Sequence, residues 1–480
     1  MMDLPDSWTS AALKEIADVV MGQSPDSSTY NESGKGVPFF QGKAEFGKKY
    51  PTVRKWCSDP KKMAMASDIL LSIRAPVGPT NLALEEAAIG RGLAAIRALE
   101  GVDQNYLFHF FRCIEPWLGK QGTGTTFAAI SGDFIREIDV PVAPESEQKR
   151  IADKLDSLLA RVDATRARLD RIPELLKRFR QSVLAAATSG QLTEDWRQEQ
   201  QAKASAQPVA PVHHGSDSDL PPHKEMTDTL ATFTSPVVIG NIDTFDWNLD
   251  WKWTPLISLA KLESGHTPRK SISEYWDGGD VPWISLQDIR EAHGKVIKDT
   301  KFHPTMMGID NSSARLLPEG TVCFSRDISV GFTTIMGRSM ATTQHFANWV
   351  CGPRLNNRFL MYALMAAKDH LTRSGQGSTV KTIYMPALEQ FQILLPSVGE
   401  QVEIVRRVEL LFGLVEKLEA RYQAARTQAD NLAPALLAKA FRGELVPQDP
   451  NDEPAEQLIA RLREVRDTAP ATARRGRKKT

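Results

Sequence analysis

The chain has 480 residues, more than one hydrophobic core usually supports, so roughly two to four structural units are expected. Its 41% hydrophobic content excludes a wholly disordered chain, and its 59 basic and 59 acidic residues cancel, so no overall positive field indicates a nucleic-acid partner. It lacks an apolar run of membrane-spanning length, a secretory N-terminal pattern and closely spaced cysteines, and we therefore expect a cytoplasmic protein without membrane contact, disulfides or structural zinc.

Residues 1–144 have the mixed pattern of an α/β domain. Short β-like runs such as Ile69–Ile73 alternate with Gly and Pro turns, and Asn105–Trp117 has the apolar spacing of a short buried helix. Residues 145–190 then predict a long helix, because apolar residues recur at alternating intervals of four and three positions. This period is typical of a coiled-coil seam, and Pro173 should kink the helix or remove a hydrogen bond.

The remaining chain repeats this order after a linker. Residues 191–245 are polar and rich in Gln, Ala, Pro and Ser, which predicts a linker that is partly disordered. A second mixed domain is expected at 246–396, a second long helix with the same seam spacing at 397–443, and a C-terminal tail at 444–480. The fold class is therefore α+β, with two long helices that pair antiparallel and a pseudo-twofold internal repeat. Pro434 lies inside the second helix and should disturb it.

Matching residues indicate that the two halves arose by internal duplication. Identical residues recur at one constant offset: Ser72 with Ser325, Gly78 with Gly331, Gly122 with Gly375, Glu147 with Glu400 and Leu184 with Leu437. So many matches in one order indicate a duplicated unit rather than coincidence.

Several sequence signatures of catalysis are missing. The chain has no GxxxxGK[ST] phosphate loop, no GxGxxG, HExxH or GxSxG motif, and no [DN]PP[YFW] motif of amino-methyltransferases. We therefore expect a protein that binds rather than catalyses, with no catalytic residue, no metal site and no cofactor of its own.

The order of the motifs resembles a known family. Each mixed domain is followed by a G-x-G-[ST]-T loop, a Pro-ended strand, an EQ-headed helix and an L-x-A-x-x-x-G-x-L exit. The segment Leu437–Gln448 is similar to the C-terminal signature of the specificity subunits of type I restriction–modification systems, and Ala185–Leu192 is similar to a weaker copy of it. The resemblance covers nearly the whole chain except the linker and the basic end.

The resemblance implies a non-catalytic subunit that reads double-stranded DNA. Each mixed domain would be a target recognition domain for one half of a split, asymmetric sequence. The long helices would set the gap between the half-sites and dock two modification subunits. These subunits would carry S-adenosylmethionine and methylate adenine, and restriction subunits would add ATP-driven translocation and Mg-dependent cleavage.

Candidate DNA-binding residues lie beside turns and in basic clusters. Arg can contact guanine and Gln can contact adenine with two hydrogen bonds each, and basic side chains contact phosphates. The base-reading candidates are Gln23, Ser24, Gln41, Arg74 and Arg91 in the first domain and His266, Thr267, Gln287, Arg326, Gln344 and His345 in the second. The phosphate candidates are Lys43, Lys48, Lys49, Arg54, Lys55, Arg269 and Lys270.

Two other interpretations of the sequence stay open. The first is a coiled-coil scaffold with two protein-binding domains and no DNA role, for which the lysine clusters would be dispensable. The second is an enzyme with an unrecognised site, which would show methyl transfer or cleavage by this chain alone.

Overall fold

The computed structural model describes residues 4–122, 129–206, 238–239, 250–374 and 382–468. The chain divides into two compact units. Unit 1 comprises Met1–Arg171 and Tyr422–Thr480, and unit 2 comprises Ile172–Arg421. Each unit combines mixed sheets with helices, and the strand order of the main sheet recurs, so the predicted α+β class with an internal repeat is confirmed.

Three sheets form the β-structure in the described part of unit 1. The main sheet is antiparallel, with the spatial order Ala17–Met21, Leu93–Ala98, Ile69–Ser72 and Thr80–Leu82. A second sheet has the order Tyr30–Asn31, Trp56–Cys57, Val37–Phe40, Ala87–Ile89 and Met63–Ala64. A short antiparallel ladder joins Thr9–Ala12 to Asp139–Val142. The strand Ile69–Ser72 is buried along its whole length, which fits the apolar run Ile69–Leu71.

Helices close the core of unit 1. They are Leu13–Ile16, Gln104–Gln121, Gly132–Arg136, Glu145–Leu169 and, near the C-terminus, Ala455–Thr468. Asp103 caps Gln104–Gln121, because its side chain accepts a hydrogen bond of 2.8 Å from the amide of Tyr106. Tyr106, Phe108 and Phe111 of this helix are fully buried in the hydrophobic core of unit 1.

Unit 2 repeats the main sheet with one additional strand. Its order is Ala260–Ser264, Phe346–Cys351, Val322–Ser325, Thr333–Met336 and Val296–Ile297. The smaller sheets are Trp283–Ile284 with Ala341–Thr342, and Val238–Ile239, Gln392–Leu395 and Lys252–Pro255. Its helices are Ile172–Ser189, Glu194–Ala206, Leu286–Glu291, Met306–Asp310, Asn357–Ala366, Lys368–Ser374, Met385–Glu389 and the first part of Val398–Ala440.

The EQ pairs of the two long helices hold equivalent buried hydrogen bonds. In unit 1 the carboxylate of Glu147 accepts a hydrogen bond of 3.1 Å from the indole of Trp8. In unit 2 the carboxylate of Glu400 accepts one of 2.9 Å from the indole of Trp251. The next residue also repeats, since Gln148 accepts from the amide of residue 103 and Gln401 accepts from the amide of residue 356. A buried donor without a partner would lower the stability of the fold. Each unit therefore needs its own Glu-Gln pair as acceptors for these donors.

The first long helix is interrupted near Pro173, where the sequence predicted a kink or a lost hydrogen bond. It consists of Glu145–Leu169 and Ile172–Ser189, joined at Asp170 and Arg171. Pro173 accounts for the break, because it has no amide proton for the carbonyl of residue 169. Within the second helical segment, Pro173 lies in the first turn, where no helical donor is required.

The long helices run antiparallel in unit 1. Arg166 lies opposite Asp430, and Arg426 lies opposite Asp170, so residue numbers rise along one helix as they fall along the other. In unit 2, Arg180 of Ile172–Ser189 pairs with Glu419 at 2.5 Å. The seam is only partly buried. Of the residues at its four- and three-residue spacing, Ile151, Leu155, Val162, Leu176 and Val183 are buried but Thr165 and Phe179 are exposed.

Two segments that were expected to be a linker and a tail contain regular structure. In the predicted linker 191–245, Gln191–Thr193 and Glu194–Ala206 are helical, and Arg197 pairs with Glu400 at 2.6 Å. In the predicted tail 444–480, the helix Ala455–Thr468 buries apolar residues at helical spacing: Ala455, Leu458, Ile459 and Leu462. Residues 207–237, 240–249 and the Gly-rich loops at 123–128 and 375–381 lie outside the described residues.

Candidate nucleic-acid interface

Five of the predicted residues of unit 1 line one cavity of about 260 Å³. They are Ser24, Gln41, Lys43, Arg74 and Arg91. Gln23 is exposed beside them, and its backbone amide donates to the carbonyl of Ile89 at 3.0 Å. Residues from four separate loops thus converge on a surface that carries three basic groups and two uncharged polar ones.

Close backbone approach positions the first loop of this cavity. Gly22 follows the strand Ala17–Met21, and its amide donates to the carbonyl of Leu93 at 2.9 Å. A Cβ at Gly22 would collide with the carbonyl oxygens of Gly90 and Leu93, so only glycine lets the turn lie this close. The hydroxyl of Ser24 then lies 3.4 Å from the amide of Arg91.

The other basic candidates of unit 1 differ in their surroundings. Lys48, Arg54 and Lys55 are exposed. Lys49 instead forms an ion pair of 2.9 Å with Asp156 of the first long helix. The other carboxylate oxygen of Asp156 lies 3.0 Å from Nε2 of the buried His109. Lys49 is therefore less exposed than these neighbours. The sequence pattern did not indicate its ion pair with Asp156.

The structure also explains the ionisation of this group. Partial burial opposes ionisation of Asp156, but the contacts with Lys49 and His109 outweigh it and lower the pKa of the carboxyl. Burial lowers the pKa of His109 to about 4, and the neighbouring Asp156 only partly opposes that effect. The carboxylate is therefore charged and the imidazole neutral at neutral pH.

In unit 2 two of the predicted residues, Thr267 and His345, each form a side-chain contact. Both contacts lie beside the turn that corresponds to the turn at Gly22 in unit 1. The hydroxyl of Thr267 donates to Oε1 of Gln344 at 2.6 Å. Nδ1 of His345 lies 3.0 Å from Oδ2 of Asp327, whose Oδ1 accepts from the hydroxyl of Thr382 at 2.9 Å. Partial burial opposes ionisation of Asp327, but these hydrogen bonds outweigh it and lower its pKa.

Asp327 was not among the predicted residues. The offset between the two halves supplies the signal that could have found it, because it places Asp327 at the position of Arg74. The charge at that position is therefore opposite in the two units.

Arg326 is placed differently from the other candidates of unit 2. Its guanidinium donates to the carbonyl oxygens of Gln344 at 3.0 Å and Ile383 at 3.4 Å. These contacts join two loops through their backbones. We therefore attribute to Arg326 the support of the loops rather than a free base-reading group.

The last candidates of unit 2 lie on the surface. His266, Arg269 and Lys270 are exposed, and the carbonyl of His266 accepts a hydrogen bond of 3.1 Å from the indole of Trp283. Gln287 is also exposed and donates to Glu291 at 2.9 Å within its own short helix.

The described residues hold neither a metal-ligand cluster nor a membrane-spanning helix. No group of three or more His, Cys, Asp or Glu side chains there is placed to hold a metal ion. Among the helices of that part of the chain, none is long and apolar enough to cross a membrane.

Comparison with known proteins identifies relatives of both units. Residues 5–174 and 248–424 match the family model described as the type I restriction modification DNA specificity domain. The Escherichia coli type I restriction enzyme EcoBI specificity subunit is 25% identical over 452 residues, covering 93% of this chain and 88% of that protein. The MjaX specificity subunit of Methanocaldococcus jannaschii is 38% identical over 185 residues, covering 38% of this chain and 44% of that protein.

Solved structures share the fold. The HsdS subunit from Thermoanaerobacter tengcongensis superposes with a TM-score of 0.59 at 19% identity, covering 92% of this chain and 98% of that one. A chain from a structure on complex assembly and conformational transition of the type I R-M system gives a TM-score of 0.64 at 19% identity, covering 92% of this chain and 100% of that one. The two matched regions together span more than half of the sequence, and the chain therefore belongs to the type I restriction–modification DNA specificity family.

Proposed function

We propose that this chain is the DNA-reading subunit of a type I restriction–modification complex. Each unit reads one half of a split, asymmetric DNA target through its loop surface. The observation that carries the proposal is the convergence of Ser24, Gln41, Lys43, Arg74 and Arg91 on one cavity of a unit that the family model matches. Groups of this kind supply hydrogen bonds to base edges and charge for phosphates, which sequence-specific binding requires.

The long helices set the gap between the half-sites and dock the modification subunits. Exposed leucines on Val398–Ala440 support the docking role, because Leu410, Leu414 and Leu418 are 67%, 50% and 40% exposed. Their spacing of four residues places them along one side of the helix. Apolar side chains exposed in a row are typical of a surface that another protein covers.

The chain itself is non-catalytic in this proposal. The two modification subunits bind S-adenosylmethionine and methylate adenine, and restriction subunits hydrolyse ATP and cleave DNA. This division of labour is consistent with the missing catalytic motifs in the sequence.

Binding by the purified complex with its modification subunits tests the proposal. One bipartite duplex should bind at least about a thousandfold more tightly than a scrambled duplex at physiological salt, and its affinity should fall steeply as salt rises. Changing one half-site should weaken binding as strongly as changing the other. Equal affinity for the bipartite and the scrambled duplex would contradict a DNA-reading role.

A further inference from the structure

Backbone hydrogen bonds define equivalent positions in the loops of the two units. In unit 1 the amide of Gln23 donates to the carbonyl of Ile89 at 3.0 Å. In unit 2 the amide of His266 donates to the carbonyl of Thr342 at 2.9 Å. The residue after each donor therefore occupies the same structural position, and it carries a hydroxyl group in both units: Ser24 and Thr267.

A second equivalent position lies in the connection that enters the longest strand of each main sheet. In unit 1 the carbonyl of Gly92 accepts from the amide of Ile73 at 2.9 Å. In unit 2 the carbonyl of His345 accepts from the amide of Arg326 at 3.0 Å. The residue that precedes each acceptor is therefore equivalent: Arg91 in unit 1 and Gln344 in unit 2.

A third equivalent position follows the central strand of each main sheet. Arg74 forms an isolated antiparallel bridge with Ala129, and Asp327 forms one with Thr382. A guanidinium in unit 1 is thus replaced by a carboxylate in unit 2. This carboxylate is held by His345 and by the hydroxyl of Thr382.

The hydroxyl residue contacts the second position in both units. Ser24 Oγ lies 3.4 Å from the amide of Arg91, and Thr267 Oγ1 donates to Oε1 of Gln344 at 2.6 Å. In unit 2 this contact orients the amide group of Gln344, whose Nε2 stays a donor and whose Oε1 keeps a second lone pair as an acceptor. Arg91 and Gln344 are therefore presented by the same local framework with different hydrogen-bonding ends.

We propose that the position shared by Arg91 and Gln344 determines base specificity in each unit, with Arg91 selecting a guanine and Gln344 an adenine. The inference rests on the proposed DNA-reading function. A guanidinium donates two hydrogen bonds to O6 and N7 of guanine, whereas a primary amide donates to N7 and accepts from N6 of adenine. Arg74 adds a second guanidinium to the surface of unit 1, while Asp327 removes positive charge from the same position in unit 2.

Reciprocal substitutions test this assignment in the assembled complex. Genomes of cells that express the chain with its modification subunits are sequenced by a single-molecule method that detects methylated adenine. Arg91→Gln is expected to replace guanine by adenine at one position of one half-site, and the other half-site should stay unchanged. Gln344→Arg is expected to replace adenine by guanine in the other half-site. Each change should shift the preference for the original base by roughly 5-fold to 100-fold.

Arg136→Gln provides a matched control, because Arg136 is a partly exposed arginine of unit 1 that pairs with Asp133 and does not line the cavity that holds Arg74 and Arg91. This variant should keep the wild-type motif. The proposal is overturned if Arg91→Gln or Gln344→Arg methylates the unchanged motif, whether at full or at evenly reduced level, or if both variants alter the same half-site. A wild-type methylation map without a split motif would instead refute the DNA-reading function, so the two failures are distinguishable.

Discussion

The guanidinium of Arg166 donates a hydrogen bond of 3.0 Å to the backbone carbonyl of Asp430. In an undisturbed helix this carbonyl would accept from the amide four residues later, but that residue is Pro434, which has no amide proton. Arg166 therefore supplies the donor that the proline removes. The helix Val398–Ala440 continues through Pro434.

The contact predicts a specific coupling between Arg166 and Pro434. Arg166→Ala should lower the free energy of unfolding by about 0.5–1.5 kcal/mol, because the carbonyl of Asp430 loses its donor. In the Pro434→Ala background the same substitution should lower the free energy of unfolding by less, since the amide of the introduced alanine restores the helical hydrogen bond. A double-mutant cycle from urea unfolding measures the difference, and additive effects of the two substitutions would contradict it.

The sequence predicted the duplicated plan because identical residues recur in one order, but it could not distinguish the two prolines. Pro173 interrupts its helix and Pro434 does not, and the carbonyl that Pro434 leaves without a helical donor is bonded by Arg166, which comes from another helix. The C-terminal helix was missed for a similar reason. Its apolar stripe is short, and its partners lie at the start of unit 1.

The sequence also predicted some residues of the candidate interface better than others. Ser24, Arg74 and Arg91 adjoin Gly or Pro turns, and turns of one unit meet on one surface, so their convergence was foreseeable. The roles of Lys49 and Asp327 were not, because each is set by a partner from a distant segment: Asp156, and His345 with Thr382.

The C-terminal helix should be necessary for the stability of unit 1. Leu458 is 3% exposed and packs in the core of that unit, so Leu458→Ala should lower the free energy of unfolding by about 2–5 kcal/mol. Val465 lies on the same helix but is 67% exposed, so Val465→Ala should change it by less than about 0.5 kcal/mol. Urea unfolding of the two variants measures the contrast. Similar losses in both would show that the helix does not pack as described.

Burial of His109 predicts loss of stability in mild acid. The pKa of the folded imidazole is about 4 instead of 6.5, so the unfolded chain binds a proton that the folded chain does not bind between these values. The stabilisation is fully present above about pH 6.5 and decreases as the pH falls toward about 4. His109→Gln removes this titration, and its urea midpoint should therefore decrease less than that of the wild type between about pH 7.5 and pH 5.

His293 of unit 2 provides a parallel case. Burial and the neighbouring Lys368 lower its pKa to about 4 as well, so His293→Gln should also reduce the acid sensitivity. The prediction would be wrong if the wild type and both variants lost stability equally over this pH range.

Neighbouring lysines 48 and 49 should contribute differently to the salt dependence of DNA binding. Lys49 is paired with Asp156 before DNA arrives, whereas Lys48 is exposed. Each phosphate that a protein cation neutralises adds about 0.9 to the slope of log affinity against log salt concentration. Lys48→Gln should therefore reduce the magnitude of the slope by about 1, and Lys49→Gln should reduce it by clearly less.

Asp156→Asn should increase the magnitude of the slope, because the charge of Lys49 then becomes available to phosphate. Titrations of the assembled complex at several salt concentrations provide the slopes, and equal reductions by the two lysine variants would show that the Asp156 pair does not persist on DNA.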